Sequence, residues 1–170
     1  MEQRIIIENA KDSWLMQYEE EKKQLHKIFG KTALAIEHIG STSVPGLAAK
    51  PVIDLMAGVK HLGEVDRFIE PLQKLGYEHV IHEAFPARRF FRKGQWRAGT
   101  HHLHMYVFQS EEWKNQLRFR HYLREHQQTC KDYESLKKDL ARRFPHDRTS
   151  YTKGKEPFIT AVIEKAKQQE

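Results

Sequence analysis

The segment from residue 37 to residue 59 reads EHIGSTSVPGLAAKPVIDLMAGV, and a polar loop in it separates two apolar runs. The first run ends at Gly40-Ser41, and the second opens at Pro51 and carries one carboxylate, Asp54, in its middle. A charge inside an apolar strand is costly to bury without a partner. A Gly-Ser turn can present backbone N–H and hydroxyl groups to an anion. The segment therefore predicts two strands that flank a site for a phosphate and a cation.

Apolar periodicity along the rest of the chain predicts an α+β fold. Gly30 should end the first helix, Pro71 should kink the second, and the polar segment HDRTSYTKG should separate the last two helices. We expect one early helix, a mixed β-sheet flanked by helices, and a helical C-terminal third. The expected helices span 11–29, 63–75, 111–126, 130–144 and 155–168, and the expected strands span 33–39, 51–59, 77–82, 88–93 and 101–108.

Length and composition predict one folded domain over residues 1–170, with 39% hydrophobic and 31% charged residues. The formal charge of +6 favours phosphate-bearing partners, with nucleic acid as a weaker alternative because the arginines are scattered. The single cysteine, Cys130, indicates a reducing compartment. The first residues do not resemble a signal peptide, and no apolar run approaches the ~20 residues of a membrane span. We expect a cytoplasmic protein without a membrane partner.

Asp54 is the first candidate site residue. Because side chains alternate along a strand, Asp54 should point away from the core that Ile53 and Leu55 face. The carboxylate can bind a metal only if further ligands lie nearby. The alternative is a carboxylate on the open side of the sheet, paired with Lys50 or with an arginine.

Two histidines in a later strand are candidate partners for Asp54. His102 and His104 are two residues apart and therefore project from the same face of the strand. Imidazole pairs of this kind suit a transition metal. The alternative is that both histidines have structural roles. The spacings of the common zinc motifs are absent from the chain.

The polar loop Gly40-Ser41-Thr42-Ser43 is the candidate phosphate site. Its glycine would let the backbone approach an anion closely, and its three hydroxyls can donate hydrogen bonds. The alternative is an ordinary turn or helix cap built from serine and threonine. The spacing is not that of a P-loop, and no G-x-S-x-G nucleophile elbow is present. Trp96 and Trp113 are further candidates for stacking on a base, with core or surface packing as the alternative.

Five motifs give the chain a resemblance to the GrpB-like family over about residues 12–167. The resemblance implies the nucleotidyltransferase fold, in which a Gly-Ser turn holds nucleotide phosphates. In that fold an acid–x–acid pair and a third carboxylate hold the divalent metals. The motifs are EHIGSTSVPGLAAKPVIDL at 37–55, HLHMYVF at 102–108, LRFRHYLREH at 117–126, YESLKKDLA at 133–141 and YTKGKEPFI at 151–159.

By this resemblance Gly40 and Ser41 match the phosphate-binding turn, and Asp54 matches the first, catalytic acid. The position of the second acid is Met56, which departs from the pattern and would remove a bridging ligand of a metal pair. The expected divalent metal is Mg²⁺ or Mn²⁺, with Zn²⁺ as the alternative, and histidine ligands would favour Mn²⁺, Zn²⁺ or Fe²⁺ over Mg²⁺. Further candidate phosphate ligands are Thr42, Ser43, Lys50, Arg89, Arg120 and Lys155, the last expected at the start of the final helix.

The resemblance implies a nucleotidyltransferase that binds a nucleoside triphosphate with a divalent metal and transfers a nucleotidyl group to an unknown acceptor. One alternative is a non-catalytic protein of the same fold that binds a nucleotide or a phosphorylated metabolite. A metal-dependent phosphohydrolase is the other alternative, and it would use the same aspartate and histidines.

Overall fold

The computed structural model describes residues 2–95 and 98–170 and has the expected α+β arrangement. Short 3-10 helices lie at 30–32, 41–43 and 62–68. No helix in the described part of the chain is long and apolar enough to cross a membrane. The helices are α1 (Ser13–Phe29), α2 (Ile69–Lys74), α3 (Glu111–Glu125), α4 (Gln127–Arg143) and α5 (Arg148–Gln168), and the strands are β1 (Ala35–Ile39), β2 (Ile53–Val59), β3 (Tyr77–Val80), β4 (Arg88–Gln95) and β5 (Ala98–Val107).

The five strands form one mixed sheet in the order β1-β2-β5-β4-β3. The pairing of β2 with β5 is parallel, and the other three pairings are antiparallel. A parallel pair needs a long crossover connection, and the part of the chain between β2 and β5, which includes β3 and β4, supplies it. This crossover brings β5, which is distant in sequence, against the strand that carries Asp54.

One face of the sheet packs on α1 and on the segment 62–74 to form the largest apolar cluster. Ile53 and Leu55 of β2, and Leu103 and Met105 of β5, point into it and have no exposed surface. Burial of such side chains contributes about 1.5–3 kcal/mol each. The predicted alternation of β2 and β5 is therefore confirmed.

The opposite face of the sheet is covered only in part by the C-terminal helices. α3, α4 and α5 pack on one another and on the loop between β1 and β2, through Val44 and Leu47. The loop is thus held between the sheet and the helices. Its polar residues, 40–43, lie at the edge of the cleft described below.

The final helix begins at Arg148, and the expectation of a loop over 146–154 was wrong. Asp147 caps the helix by accepting hydrogen bonds from the backbone N–H and the hydroxyl of Ser150. Tyr151 is buried. Gly154 lies so close to Leu140 of α4 that a Cβ would collide with that side chain. Packing against α4 therefore outweighs the weak helix propensity of this polar segment.

The segment 63–75 is α-helical only over Ile69–Lys74, and a 3-10 helix, Leu62–Phe68, precedes it. Pro71 lies in the first turn of α2, where its missing N–H has no intrahelical partner in any case. A longer α-helix would force the proline ring against the carbonyl four residues earlier. The expected single helix is therefore divided at this point.

The tight contact of α5 with α4 predicts that Gly154→Leu destabilises the protein, by about 2 kcal/mol, because overpacking of a filled core costs roughly 1–3 kcal/mol. Urea unfolding followed by circular dichroism measures the change. Gly63→Leu is the matched control, since no atom lies within 4 Å of a Cβ built there. Equal stability of the two variants would contradict the packing described.

Candidate metal and anion site

Asp54, His102 and His104 lie together on the partly covered face of the sheet. In the β2–β5 register Asp54 is opposite His102, and Met56 is opposite His104. Oδ1 of Asp54 is 3.2 Å from Nδ1 of His102 and 3.2 Å from Nε2 of His104. One ligand atom from each of the three residues fits within 4.8 Å of the others. The sequence prediction that these three residues share one site agrees with this geometry.

Gly40 forms the wall against which the Asp54 carboxylate packs. A Cβ built on Gly40 would lie 2.6 Å from Oδ2 of Asp54. The backbone of Gly40 has φ 72° and ψ −175°, a conformation that is essentially restricted to glycine. Glycine at this position is therefore required both by the backbone and by the close approach of the carboxylate.

Burial raises the pKa of Asp54, but hydrogen bonds from His102 and His104 outweigh it and hold that pKa well below its ordinary value. Burial lowers the pKa of His104 despite its contact with Asp54. The aspartate is therefore ionised and His104 is neutral at neutral pH. An anionic oxygen and a neutral imidazole are the protonation states that metal binding needs.

The tautomer of His104 follows from its second neighbour. Nη1 of Arg88 lies 3.1 Å from Nδ1 of His104. A guanidinium only donates hydrogen bonds, so Nδ1 accepts and Nε2–H donates to Asp54. Coordination of Nε2 to a metal would require the proton to move to Nδ1 and would break the bond from Arg88.

Within the loop 40–43, two of the three hydroxyls hold the loop together. The Thr42 hydroxyl donates to the carbonyl of Val52 and contacts Nε2 of His38 at 3.0 Å. The Ser43 hydroxyl donates to the carbonyl of Gly40. Ser41 and Thr42 line the cleft that contains Asp54. The Ser41 hydroxyl is hydrogen-bonded to Tyr133 and also lines the cleft, so a ligand that uses this hydroxyl would compete with Tyr133.

The cleft has a volume of about 400 Å³, and one of its walls is strongly cationic. Lys50, Lys137 and Lys155 line this wall, and Asp54 is the only carboxylate among the described residues that line the cleft. The ammonium groups of Lys50 and Lys155 lie 5.0 Å and 4.6 Å from the centre of the Tyr151 ring. Such cation–π contacts stabilise a charge that has lost part of its hydration.

Burial, together with repulsion from neighbouring cations, lowers the pKa values of these lysines. Burial, with repulsion from Lys155 next, lowers the pKa of Lys137 to about 7. Burial and the charge of Lys50 lower the pKa of Lys155 to about 8. The pKa of Lys50 is lowered too, chiefly by burial. A polyanion in the cleft would relieve this repulsion and restore the charged forms.

Arg89 and Arg120 are not brought into the cleft. Arg89 pairs in register with Met105, on the other face of the sheet, and forms an ion pair with Asp66 at 3.8 Å. Arg120 is buried and donates to Glu37 and to the carbonyl of His38. Both arginines have structural contacts that explain them, so the prediction that they bind phosphate loses its support.

Two further candidates have different outcomes. Trp113 is buried in a cluster with Ile39, Met56 and Tyr106, which supports the packing alternative over base stacking. Trp96 lies outside the described residues.

Met56 has no exposed surface. The position of the second acid is therefore filled by an apolar side chain that is part of the core.

The cleft also contains residues that sequence reasoning missed, chiefly Arg88 and Lys137. Lys137 has only 1% exposure and falls between Tyr133 and Leu140 on the buried face of α4. A lysine at an apolar position of a helix could have indicated from the sequence that this side chain is buried. Arg88 faces the site because it pairs with Tyr106, and this register cannot be read from the sequence. The other missed lining residues are Ala49, Val52, His82, Phe90, Tyr151 and Thr152.

The family model "GrpB protein" matches residues 4–165. The chain belongs to the GrpB family. It is 40% identical over 163 residues to the UPF0157 protein YqkA of Bacillus subtilis, covering 96% of this chain but only 47% of that protein. It is 34% identical over 163 residues to the glutamate-rich protein GrpB of Alkalihalophilus pseudofirmus, covering 94% of each. The chain thus spans about half of one relative and nearly all of the other.

Solved structures agree with this assignment and show the wider fold. The conserved protein GrpB from Enterococcus faecalis matches with a TM-score of 0.90 and 38% identity, over 96% of this chain and 98% of that one. The GLD-2/RNP-8 complex matches with a TM-score of 0.59 and 13% identity, over 91% of this chain and 59% of that one. Cid1 poly(U) polymerase with MgGTP matches with a TM-score of 0.56 and 17% identity, over 81% and 45%. The GrpB chain described here has the nucleotidyltransferase fold.

The contact between Gly40 and Asp54 predicts that Gly40→Ala weakens metal binding as well as stability. The new Cβ must displace the carboxylate, and the backbone conformation costs about 1–3 kcal/mol for a non-glycine residue. Gly46→Ala is the matched control because Gly46 has φ 80° but open space around its Cα. Calorimetric titration with Mn²⁺ and urea unfolding measure both effects. Loss of stability with unchanged metal affinity in Gly40→Ala would contradict the site geometry.

Proposed function

We propose that this GrpB-family protein is a metal-dependent nucleotidyltransferase that binds a nucleoside triphosphate and transfers a nucleotidyl group to an acceptor. The observation that carries the proposal is the placement of Asp54, His102 and His104 in the same cleft as three lysines. A metal-ligating triad beside a cationic wall suits a phosphorylated ligand. The likeness in fold to nucleotidyltransferases makes this the ligand class to test first.

The residues present fit one divalent metal. One carboxylate oxygen and two imidazole nitrogens form a donor set that favours Mn²⁺, Zn²⁺ or Fe²⁺ over Mg²⁺. A second metal would lack a bridging ligand, because Met56 is apolar and buried. When bound, a metal in this site would supply Lewis acidity to a phosphoryl oxygen. Asp54, His102 and His104 would hold the ion.

Other cleft residues have roles that follow from their charge and position. Lys50, Lys137 and Lys155 would bind the phosphate oxygens and neutralise the leaving pyrophosphate. Ser41 would donate a hydrogen bond to a phosphate from the Gly-Ser turn. Arg88 would add a planar donor group through Nη1 once that atom is released from His104, while Nη2 stays on His82. These residues orient the ligand and balance its charge.

A non-catalytic nucleotide-binding protein of the same fold is the second candidate function. The burial of Met56 favours it, because in-line transfer with two metals needs the acid that is missing there. A sensor or partner module would need the lysine wall and the metal but no acceptor. The two candidates therefore predict equal nucleotide binding and different chemistry.

The direct test compares the wild type with Asp54→Asn in two assays. Calorimetry with ATP, GTP, CTP and UTP in the presence of Mn²⁺, Zn²⁺ or Mg²⁺ measures binding. Triphosphates labelled at the α-phosphorus, incubated with lysate fractions, measure transfer. We expect binding and transfer by the wild type and loss of both metal binding and transfer in Asp54→Asn. Asp66→Asn, on the other face of the sheet, is the matched control.

The outcomes separate the candidates. Metal-dependent binding without transfer to any acceptor would favour the non-catalytic protein. Release of phosphate or pyrophosphate without an acceptor would favour a phosphohydrolase. Absence of binding to all four triphosphates with every metal would contradict the proposal as a whole.

The lowered lysine pKa values predict a pH dependence of anion binding. Lys137 and Lys155, with pKa values of about 7 and about 8, lose their charge as the pH rises. ATP affinity without added metal should therefore fall by about tenfold between about pH 7.5 and pH 9, where the γ-phosphate keeps its charge. Calorimetry in buffers of different ionisation enthalpy should detect proton uptake on binding. The dependence should shrink in Lys155→Gln and persist in Lys165→Gln, and a flat profile would contradict the role of the lysine wall.

A further inference from the structure

The two walls of the cleft differ in their chemistry. The lysine wall, formed by Lys50, Lys137 and Lys155, comes from the β1–β2 loop and from α4 and α5. The facing wall comes from β4 and from the loop between β3 and β4, and it contributes His82, Phe90 and Arg88. This second wall carries two aromatic rings beside one cation, Arg88, whereas the first wall carries three lysines. A ligand that is anionic at one end and flat at the other would match both walls.

A row of rings leads from His104 through Phe90 and His82, which line the cleft, to Phe85, which lines an adjoining pocket together with His82. The ring centre of Phe90 lies 5.1 Å from that of His104. Phe90 also stacks on His82, with 5.5 Å between ring centres and 17° between ring planes. The rings of His82 and Phe85 are in edge contact, with 6.2 Å between their centres and 65° between their planes. We name His82, Phe85 and Phe90 the aromatic rim. The steep angle between His82 and Phe85 forms a corner that can hold a flat ring by stacking on one side and edge contact on the other.

The positions of these rings are fixed by Arg88. Its guanidinium carbon lies over the rings of both Phe85 and Phe90, 4.9 Å and 4.8 Å from their centres. Its Nη2 donates to Nδ1 of His82 at 3.0 Å. The rim is therefore arranged before a ligand arrives, which lowers the entropic cost of binding.

The outer part of the rim is exposed. Phe85 has 57% of its surface exposed and Ile81, beside it in the same loop, has 76%. His82 is exposed too. Apolar and aromatic surface of this extent at the mouth of a charged cleft needs an explanation in terms of a ligand or a partner. Its continuity with the cleft of Asp54 favours the ligand of that cleft.

We propose that the aromatic rim binds the planar ring of the phosphorylated ligand, the base of a nucleotide, while the lysine wall binds its phosphates. The phosphate half of this assignment rests on the proposed function, and the ring half rests on the rim alone. Stacking on aromatic side chains tolerates any base. The rim therefore adds affinity for nucleotides over inorganic polyphosphate, and it adds little discrimination among bases of equal size.

The test compares ATP with inorganic tripolyphosphate by calorimetry at one pH without added metal. In Phe85→Ala we expect ATP to bind about tenfold more weakly, since stacking is worth about a factor of ten or more per base. Tripolyphosphate affinity should stay within about twofold, because it has no ring. Phe85→Tyr should retain ATP affinity, and Phe85→Leu should not. Leu34→Ala is the control, since Leu34 has a similar exposure of 52% and lines neither the cleft nor the adjoining pocket of residues 81–85.

The outcomes separate this inference from the proposed function. Unchanged ATP affinity in Phe85→Ala, with tripolyphosphate still bound, would overturn the ring site and leave the phosphate site intact. Equal weakening of both ligands would also overturn it, because that result would mean a displaced Arg88 and no lost stacking. Binding of neither ligand by the wild type would overturn the proposed function and this inference together.

Discussion

The parallel pairing of β2 with β5 is the constraint on which the site depends. It sets Asp54 against His102 and brings His104 within hydrogen-bond reach of the same carboxylate oxygen. A shift of this register by one residue would turn both histidines to the apolar face. The close approach of Gly40 then fixes the carboxylate from the other side. The loop, the strand and the crossover connection therefore act together on one side chain.

Much of this arrangement could be predicted from the sequence because it follows from local patterns. Alternation along two strands places Ile53 and Leu55 on one face and Asp54 on the other, and it puts His102 and His104 on a common face. The Gly-Ser turn before an acidic strand identified the fold through a family resemblance. Strand and helix positions followed from apolar periodicity with two exceptions: packing of α5 on α4 made a helix out of a polar segment, and the segment 63–75 is divided into a 3-10 helix and a short α-helix.

The rest could not be predicted because it depends on contacts between distant elements. Arg88 faces the site and Arg89 does not, and only the register of β4 against β5 decides between them. Lys137 reaches the cleft because α4 packs beside the β1–β2 loop, where its ammonium donates to the carbonyl of Ala48. Arg120 was expected to bind phosphate, but its pairing with Glu37 spans 83 positions. Sequence spacing carries no information about such pairs.

Charge balance links the two halves of the site. One aspartate cannot neutralise three lysines and an arginine, so the cleft is matched to a ligand with several negative charges. A divalent metal would increase the positive charge that the ligand must balance.

The most direct test is anomalous diffraction from crystals grown with Mn²⁺ and ATP. We expect one Mn²⁺ ion bound by Asp54, His102 and His104, with the phosphates against Lys50, Lys137 and Lys155. An ion bound elsewhere, or phosphates turned away from the lysines, would contradict it.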